Sequence, residues 1–168
     1  MAELRAGNFT AADRAFGRTH ELGADPEPGM SMLRLARGDA AGARAALREA
    51  LKRAAGNPLK RARLLPVQVD VALAIGDVDV ARAAATDLAV IAHDYDSSVL
   101  GAATAFAEGR LAAVSGDLDL AKTKLRDSHR LWLTVDSPHE AARARLELGP
   151  PRPRPKGGSG ASPNCRAP

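Results

Sequence analysis

Histidines and the acids beside them are the first residues to consider for chemistry. His20 and His129 could act as a pair of metal ligands, because each lies thirteen residues after a turn glycine, Gly7 and Gly116 respectively. These turns belong to the first and the fourth unit of a repeated pattern, which stacking keeps far apart. We therefore expect both histidines on solvated helix surface.

A small acidic cluster surrounds Tyr95. His93, Asp94 and Asp96 flank this residue in the sequence. A divalent cation needs more converging ligands than such a short segment supplies. The cluster therefore predicts the end of a helix with capping carboxylates, and we predict no metal site.

Two further patterns contain residue types known from catalysis and from phosphate binding. The run Asp127-Ser128-His129 has the residue types of a nucleophilic triad. Consecutive residues of a helix point in different directions, so these three cannot form a proton relay. The glycine-rich segment 157–160 lacks the Lys-Ser or Lys-Thr ending of a phosphate-binding loop. We predict no catalytic residue and no cofactor, and hence a protein that is not an enzyme.

Trp132 and Tyr95 are the candidates for a face that binds a ligand or a partner. Trp132 is the only tryptophan of the chain, and core packing is the alternative that we favour for it. The arginines of residues 34–63 resemble a basic patch, but Asp39 and Glu49 are interleaved with them. A solvated helix face explains that segment better.

These residues are positioned by a turn that occurs four times. Gly116-Asp117-Leu118-Asp119-Leu120-Ala121 nearly duplicates Gly76-Asp77-Val78-Asp79-Val80-Ala81, and Gly38-Asp39 and Gly7-Asn8 begin weaker copies. Glycine takes the left-handed conformation that ends a helix, and the Asp or Asn after it caps the next helix. The four turns predict helical hairpins.

The spacing of the turns indicates the fold class. The four glycines are 31, 38 and 40 residues apart, which straddles the ~34-residue period of tetratricopeptide repeats and the ~40–47 residues of HEAT-like repeats. Alanine follows each glycine after five residues, and Phe16, Leu47, Ala85 and Leu125 follow after nine. We predict an all-α fold, a right-handed solenoid of tetratricopeptide-like helical hairpins with a disordered C-terminal tail.

The chain is expected to begin inside a repeat, because residues 1–6 have the pattern of a helix end. Further helices are predicted over 9–22, 30–37, 40–55, 59–75, 78–93, 98–115, 118–135 and 138–148. Phe9 and Leu22 are placed on the buried side of the first of these. Pro66 is expected to kink its helix, and Ser137 and Glu140 are expected to form a capping box.

Composition divides the chain into a helical repeat domain, residues 1–149, and a Pro/Arg/Gly-rich tail, residues 150–168, predicted to be disordered. The tail carries the whole net charge of +4. The helical part is therefore neutral, and we expect no specific nucleic-acid binding.

The only cysteine, Cys165, cannot form a disulfide within one chain. We see neither a run of ~20 apolar residues nor a signal peptide, and expect a cytoplasmic protein that is not membrane-bound.

Removal of the tail should leave the helical domain intact. We expect a chain that ends at Gly149 to keep the helical circular dichroism of the full chain. Its melting temperature should stay within about 5 °C, which corresponds to about 1 kcal/mol in the free energy of unfolding. Thermal unfolding of the two chains side by side is the measurement, and a larger drop would show that the tail packs on the helices.

Several segments of the helical part resemble a known family. They are residues 29–39, 43–47, 61–77 and 131–145, which include Arg61-Ala62-Arg63-Leu64-Leu65-Pro66 and Ser137-Pro138-His139-Glu140. They are similar to the helical-repeat region of large actinobacterial LuxR-type transcriptional regulators, over roughly residues 1–149. In that family the repeats lie between an N-terminal nucleotide-binding or other sensor domain and a C-terminal helix-turn-helix.

The resemblance implies a scaffold that binds a protein partner or a small-molecule effector and couples sensing to DNA binding. This chain departs from the family, because it has no nucleotide-binding motif and has the tail where the family continues with another helix. We therefore expect a truncated or frame-shifted form of such a regulator. A stand-alone tetratricopeptide-like adaptor and a non-functional gene fragment are the alternatives.

Overall fold

The computed structural model describes residues 8–149, and within this range all regular secondary structure is helical. The helices are α1 (Phe9–Glu21), α2 (Gly29–Ala36), α3 (Ala40–Arg53), α4 (Pro58–Ile75), α5 (Val78–Asp94), α6 (Ser98–Ser115), α7 (Leu118–Thr134) and α8 (Pro138–Glu147). The predicted all-α class is confirmed. None of the described helices is both long enough and apolar enough to cross a bilayer. The predicted helix end at residues 1–6, the Gly7 turn and the tail lie outside the described residues.

Side-chain caps define most of the helix starts. Asp39, Asn57, Asp77, Ser97 and Asp117 each accept a hydrogen bond from the backbone N–H three residues further on.

The predicted start of α8 is confirmed in its position, with Pro138 in the first turn, but not in its side-chain cap bond. Ser137 precedes α8 but makes no side-chain cap bond. The carboxylate of Glu140, the third residue of the helix, pairs with Arg143, one turn further along, at 2.9 Å.

Left-handed glycines end α2, α4 and α6, as their sequence context predicts. Gly38, Gly76 and Gly116 have φ values of 85°, 81° and 86°. After Gly76, the N–H of Asp77 donates to the carbonyl of Ala72. Each glycine and the aspartate after it close the helix with the same two backbone bonds, so free carbonyls at the helix end are satisfied.

The turns after α5 and α7 use aspartate where those after α2, α4 and α6 use glycine. Asp96 and Asp136 follow α5 and α7 with φ values of 45° and 52°. The N–H of the next residue donates to a carbonyl five residues back, Ser97 to Ala92 and Ser137 to Trp132. Because aspartate tolerates this backbone region better than most residues, an Asp-Ser turn alternates with the Gly-Asp turn along this part of the chain.

Replacement of Gly116 by alanine should lower the free energy of unfolding by about 1–2 kcal/mol. A Cβ at this position meets nothing within 4 Å, so the backbone conformation alone causes the loss. Gly116→Asn should lose less, because asparagine tolerates the left-handed region. Urea unfolding of the three proteins measures the order. If both variants kept the parent midpoint, Gly116 would not be left-handed in solution.

Packing follows the order of the helices. Each helix contacts the next one, and α4 also contacts α2 and α6. The residues that follow the turn glycines are buried, namely Ala12, Ala43, Ala81 and Ala121 after five positions and Phe16, Leu47, Ala85 and Leu125 after nine. The largest hydrophobic cluster joins α4, α5 and α6, so the middle of the described chain holds most of the core.

Two positions at the first described helix differ from the prediction. Phe9 is 37% exposed and Leu22 is 85% exposed. Leu22 follows the end of α1 at Glu21, so it lies in a turn and leaves the helix face that periodicity assigned to it. Phe9 is the first residue of α1, and its backbone carbonyl accepts a hydrogen bond from Arg37, just after α2, at 3.2 Å. Pro66 lies inside α4, which runs on to Ile75.

A glycine inside α6 marks a close helix contact. Gly109 is buried, and a Cβ built on it would lie 2.7 Å from Cγ of Leu125 and 3.2 Å from the backbone nitrogen of that residue. The α6 backbone therefore approaches α7 more closely than any side chain larger than hydrogen permits.

Candidate binding groove

A groove runs across the alternate helices α2, α4, α6 and α8, with a contribution from α7. The cavity has a volume of about 360 Å³. Its lining combines apolar, aromatic and charged side chains, which include Met32, Arg63, Val67, Asp70, Phe106, Trp132, Glu140 and Arg143. We name this cavity the Trp132 groove.

Asp70 joins three helices at this groove. It lies on α4, and its carboxylate accepts hydrogen bonds from Arg110 on α6 and from Arg143 on α8, the latter at 3.3 Å. The Asp70 side chain is only 16% exposed. Because this carboxylate is mostly shielded from water, its two ion pairs are stronger than surface pairs. They fix the positions of α6 and α8 relative to α4.

Phe106 lies beneath the same two guanidinium groups. The guanidinium carbon of Arg143 is 5.1 Å from the ring centroid, and that of Arg110 is 5.9 Å away. These distances are within the range of cation–π attraction. The aromatic ring and the Asp70 carboxylate therefore hold the two arginines together.

The two arginines that line the groove differ in their ion pairs. Burial by itself would lower the pKa of Arg143. The carboxylates of Asp70 and Glu140 raise this pKa by more than burial lowers it, so it lies above its ordinary value. Arg143 is therefore charged at all physiological pH values. Arg63 is exposed and forms no ion pair within residues 8–149. The groove thus offers a free cation at its edge to an anionic group.

The residue types considered for catalysis have structural partners. The Ser128 hydroxyl is buried and donates to the carbonyl of Ala102 at 2.8 Å. His129 is half-buried, with Nδ1 2.9 Å from the carbonyl of Ala141, so its predicted place on solvated surface is wrong. It is partly buried because α8 packs on α7 at this point. The His20 side chain lies outside the described part of the structure.

The acidic cluster near Tyr95 stays at the surface. His93, Asp94, Tyr95 and Asp96 are all exposed at the end of α5. Among the described residues, no three His, Cys, Asp or Glu side chains are grouped in a way that could hold a metal ion.

The structure separates the two residues proposed for a binding face. Trp132 is half-buried and lines the groove. Tyr95 follows the end of α5, is 47% exposed and does not line the groove. Trp132 therefore remains a candidate contact, whereas Tyr95 belongs to a different surface.

Sequence reasoning missed Asp70, Phe106 and Arg143. One signal was available, because Asp70 is the only charged residue within the apolar run 64–75. A lone carboxylate in such a run indicates a partner from another helix. The identity of that partner depends on how distant segments pack, which the run itself does not contain.

Comparison of the chain with protein-family models, with curated proteins and with solved structures finds no match.

Proposed function

We propose that this chain is a non-catalytic helical-repeat scaffold that binds a protein partner or a small-molecule effector in the Trp132 groove. The observation that carries the proposal is the groove itself, where Phe106 and Trp132 accompany Arg63, whose guanidinium forms no ion pair with another described residue. Aromatic rings and arginine are the residue types that dominate binding sites. A ligand with an apolar group and a carboxylate fits this lining.

The proposed architecture is a right-handed solenoid of tetratricopeptide-like hairpins. The alternation of Gly-Asp and Asp-Ser turns supports it, and so do the contacts of α4 with α2 and α6. Repeat proteins of this kind use the surface formed by alternate helices for binding. The Trp132 groove lies on such a surface.

The proposed biological setting follows from the sequence resemblance. The scaffold would correspond to the sensor and coupling region of a LuxR-type transcriptional regulator, in the cytoplasm. The alternative is a stand-alone adaptor. An adjoining reading frame that encodes a helix-turn-helix would favour the regulator, and its absence the adaptor or a gene fragment.

Selection of peptides from a random library on the full chain tests the binding function. Trp132 is the only tryptophan, so its emission reports directly on occupation of the groove. We expect selected peptides to carry an aromatic or aliphatic residue near an acid and to shift this emission. Arg63→Glu should weaken their binding at least tenfold.

Arg126→Glu is the matched control for the selection. Arg126 is an exposed arginine of α7 that forms no ion pair with the described residues and does not line the groove. This variant should bind the selected peptides as the parent does. Peptides that leave Trp132 emission unchanged and bind Arg63→Glu normally would show that the groove is not the binding site.

A further inference from the structure

A second cavity lies on the other side of α4. It has a volume of about 470 Å³ and an apolar floor, where Leu47, Val71 and Ala72 are buried. Ala72 is two residues from Asp70, which places the two side chains ~200° apart around the helix. The two cavities therefore open on opposite faces of α4.

Four cationic side chains border this cavity. Arg44, Arg48 and Lys52 come from α3, and Arg61 comes from α4. The three residues of α3 are four positions apart, so they form one row along that helix. We name the cavity the Arg48 groove.

Cations outnumber acids in the lining of the Arg48 groove. Against its four cationic side chains the lining has one acid, Asp77, whereas residues 1–149 as a whole are neutral. Such a local excess attracts anions, more strongly at low salt. The basic segment that the sequence assigns to a solvated face therefore borders a cavity.

Two of these cations pair with acids of α5 or its cap: Arg44 with Asp77, at 3.3 Å, and Arg61 with Asp87. The other two, Arg48 and Lys52, have only exposed ion pairs. Glu49 is shared between Arg48, at 3.6 Å, and Lys52, at 3.0 Å, and all three side chains are more than half exposed. Exposed pairs contribute little to stability. An anionic ligand can therefore replace them with little loss.

An uncommitted amide lies in the same cavity. Gln68 is half-buried and lines the groove, and none of the hydrogen bonds among the described residues involves its side chain. It offers two donors and an acceptor to a polar group.

We propose that the Arg48 groove binds a free aliphatic carboxylate of medium chain length. The alkyl chain lies on the floor of Leu47 and Val71, and the carboxylate meets Arg48 and Lys52. The volume falls in the range of small-molecule sites, ~300–1,000 Å³.

Calorimetric titration of the full chain with free octanoate, decanoate and dodecanoate below their micelle concentrations tests this site. We expect affinity to rise about threefold to fourfold per methylene group. Decanol should bind at least tenfold more weakly than decanoate. Trp132 emission should not change, because Trp132 lines the opposite groove.

Two double substitutions and one single substitution locate the ligand. Arg48→Gln/Lys52→Gln should weaken decanoate binding at least tenfold. Arg126→Gln/Arg130→Gln, the same change on exposed arginines of α7, should leave it within twofold. Ile75→Ser, at the partly exposed end of the floor, should reduce the gain in affinity from decanoate to dodecanoate. Far-UV circular dichroism confirms that each variant is folded.

Several results would overturn the proposal. They are equal binding of decanol and decanoate, unchanged binding by Arg48→Gln/Lys52→Gln, and binding to anionic vesicles without binding to free decanoate. A change in Trp132 emission that is lost with Arg63→Glu would assign the carboxylate to the Trp132 groove. That result would overturn this inference while supporting the proposed function.

Discussion

Replacement of Gly109 by valine is expected to lower the free energy of unfolding by about 3 kcal/mol, the upper part of the range for an overpacked core. The Cβ would lie 2.7 Å from Cγ of Leu125 and 3.2 Å from its backbone nitrogen. The side chain of Leu125 can rotate, but the backbone of α7 cannot yield locally. The two helices must therefore move apart, and the buried surface between them is partly lost.

Urea unfolding of the full chain measures this effect, with a control on the same helix. Gly101 also lies in α6, and a Cβ there meets nothing within 4 Å. Gly101→Ala should therefore raise the free energy of unfolding by about 0.5–1 kcal/mol through helix propensity. If Gly109→Val kept the parent midpoint, α6 and α7 would not approach as closely as described.

Removal of the Asp70 carboxylate should have an effect of similar size. We expect Asp70→Ala to lower the free energy of unfolding by about 2–3 kcal/mol, somewhat less than the loss of a fully buried ion-pair partner, because 16% of the side chain is exposed. Arg110 and Arg143 would be left without their shared carboxylate in a partly dry groove. Urea unfolding is again the measurement.

Asp87 provides the matched control for Asp70. It pairs with Arg61, but its side chain is 51% exposed. Asp87→Ala should therefore change the free energy of unfolding by less than about 1 kcal/mol. Equal losses from the two substitutions would show that Asp70 acts as an ordinary surface acid and does not join α4 to α6 and α8.

Helix positions could be predicted because their signals are local. Each described helix starts and ends within about two residues of its prediction, since a glycine with φ near +85° or a capping side chain is recognisable from one segment of sequence. The left-handed conformation of Asp96 and Asp136 was missed. In a sequence, an Asp-Ser pair is equally consistent with an ordinary helix cap. Only glycine is a clear sequence signal for a positive φ.

The candidate groove could be predicted only in part. The sequence singled out Trp132 by its rarity, but not Asp70, whose partners Arg110 and Arg143 are 40 and 73 residues away. Their meeting depends on how alternate helices align across two hairpins, and no local pattern specifies that alignment. For the same reason the basic row of α3 was recognised without the cavity beside it.

The bond between Asp70 and Arg143 has a consequence for the rates of folding. Most contacts join helices that are neighbours in sequence, and such local contacts form early and quickly. The Asp70–Arg143 bond closes a loop of 73 residues. The chain must lose the conformational entropy of this loop before the bond can form. It should therefore be absent from the transition state. Loss of this bond would accelerate unfolding and leave the folding rate almost unchanged. The bond therefore slows the detachment of α8 from α4.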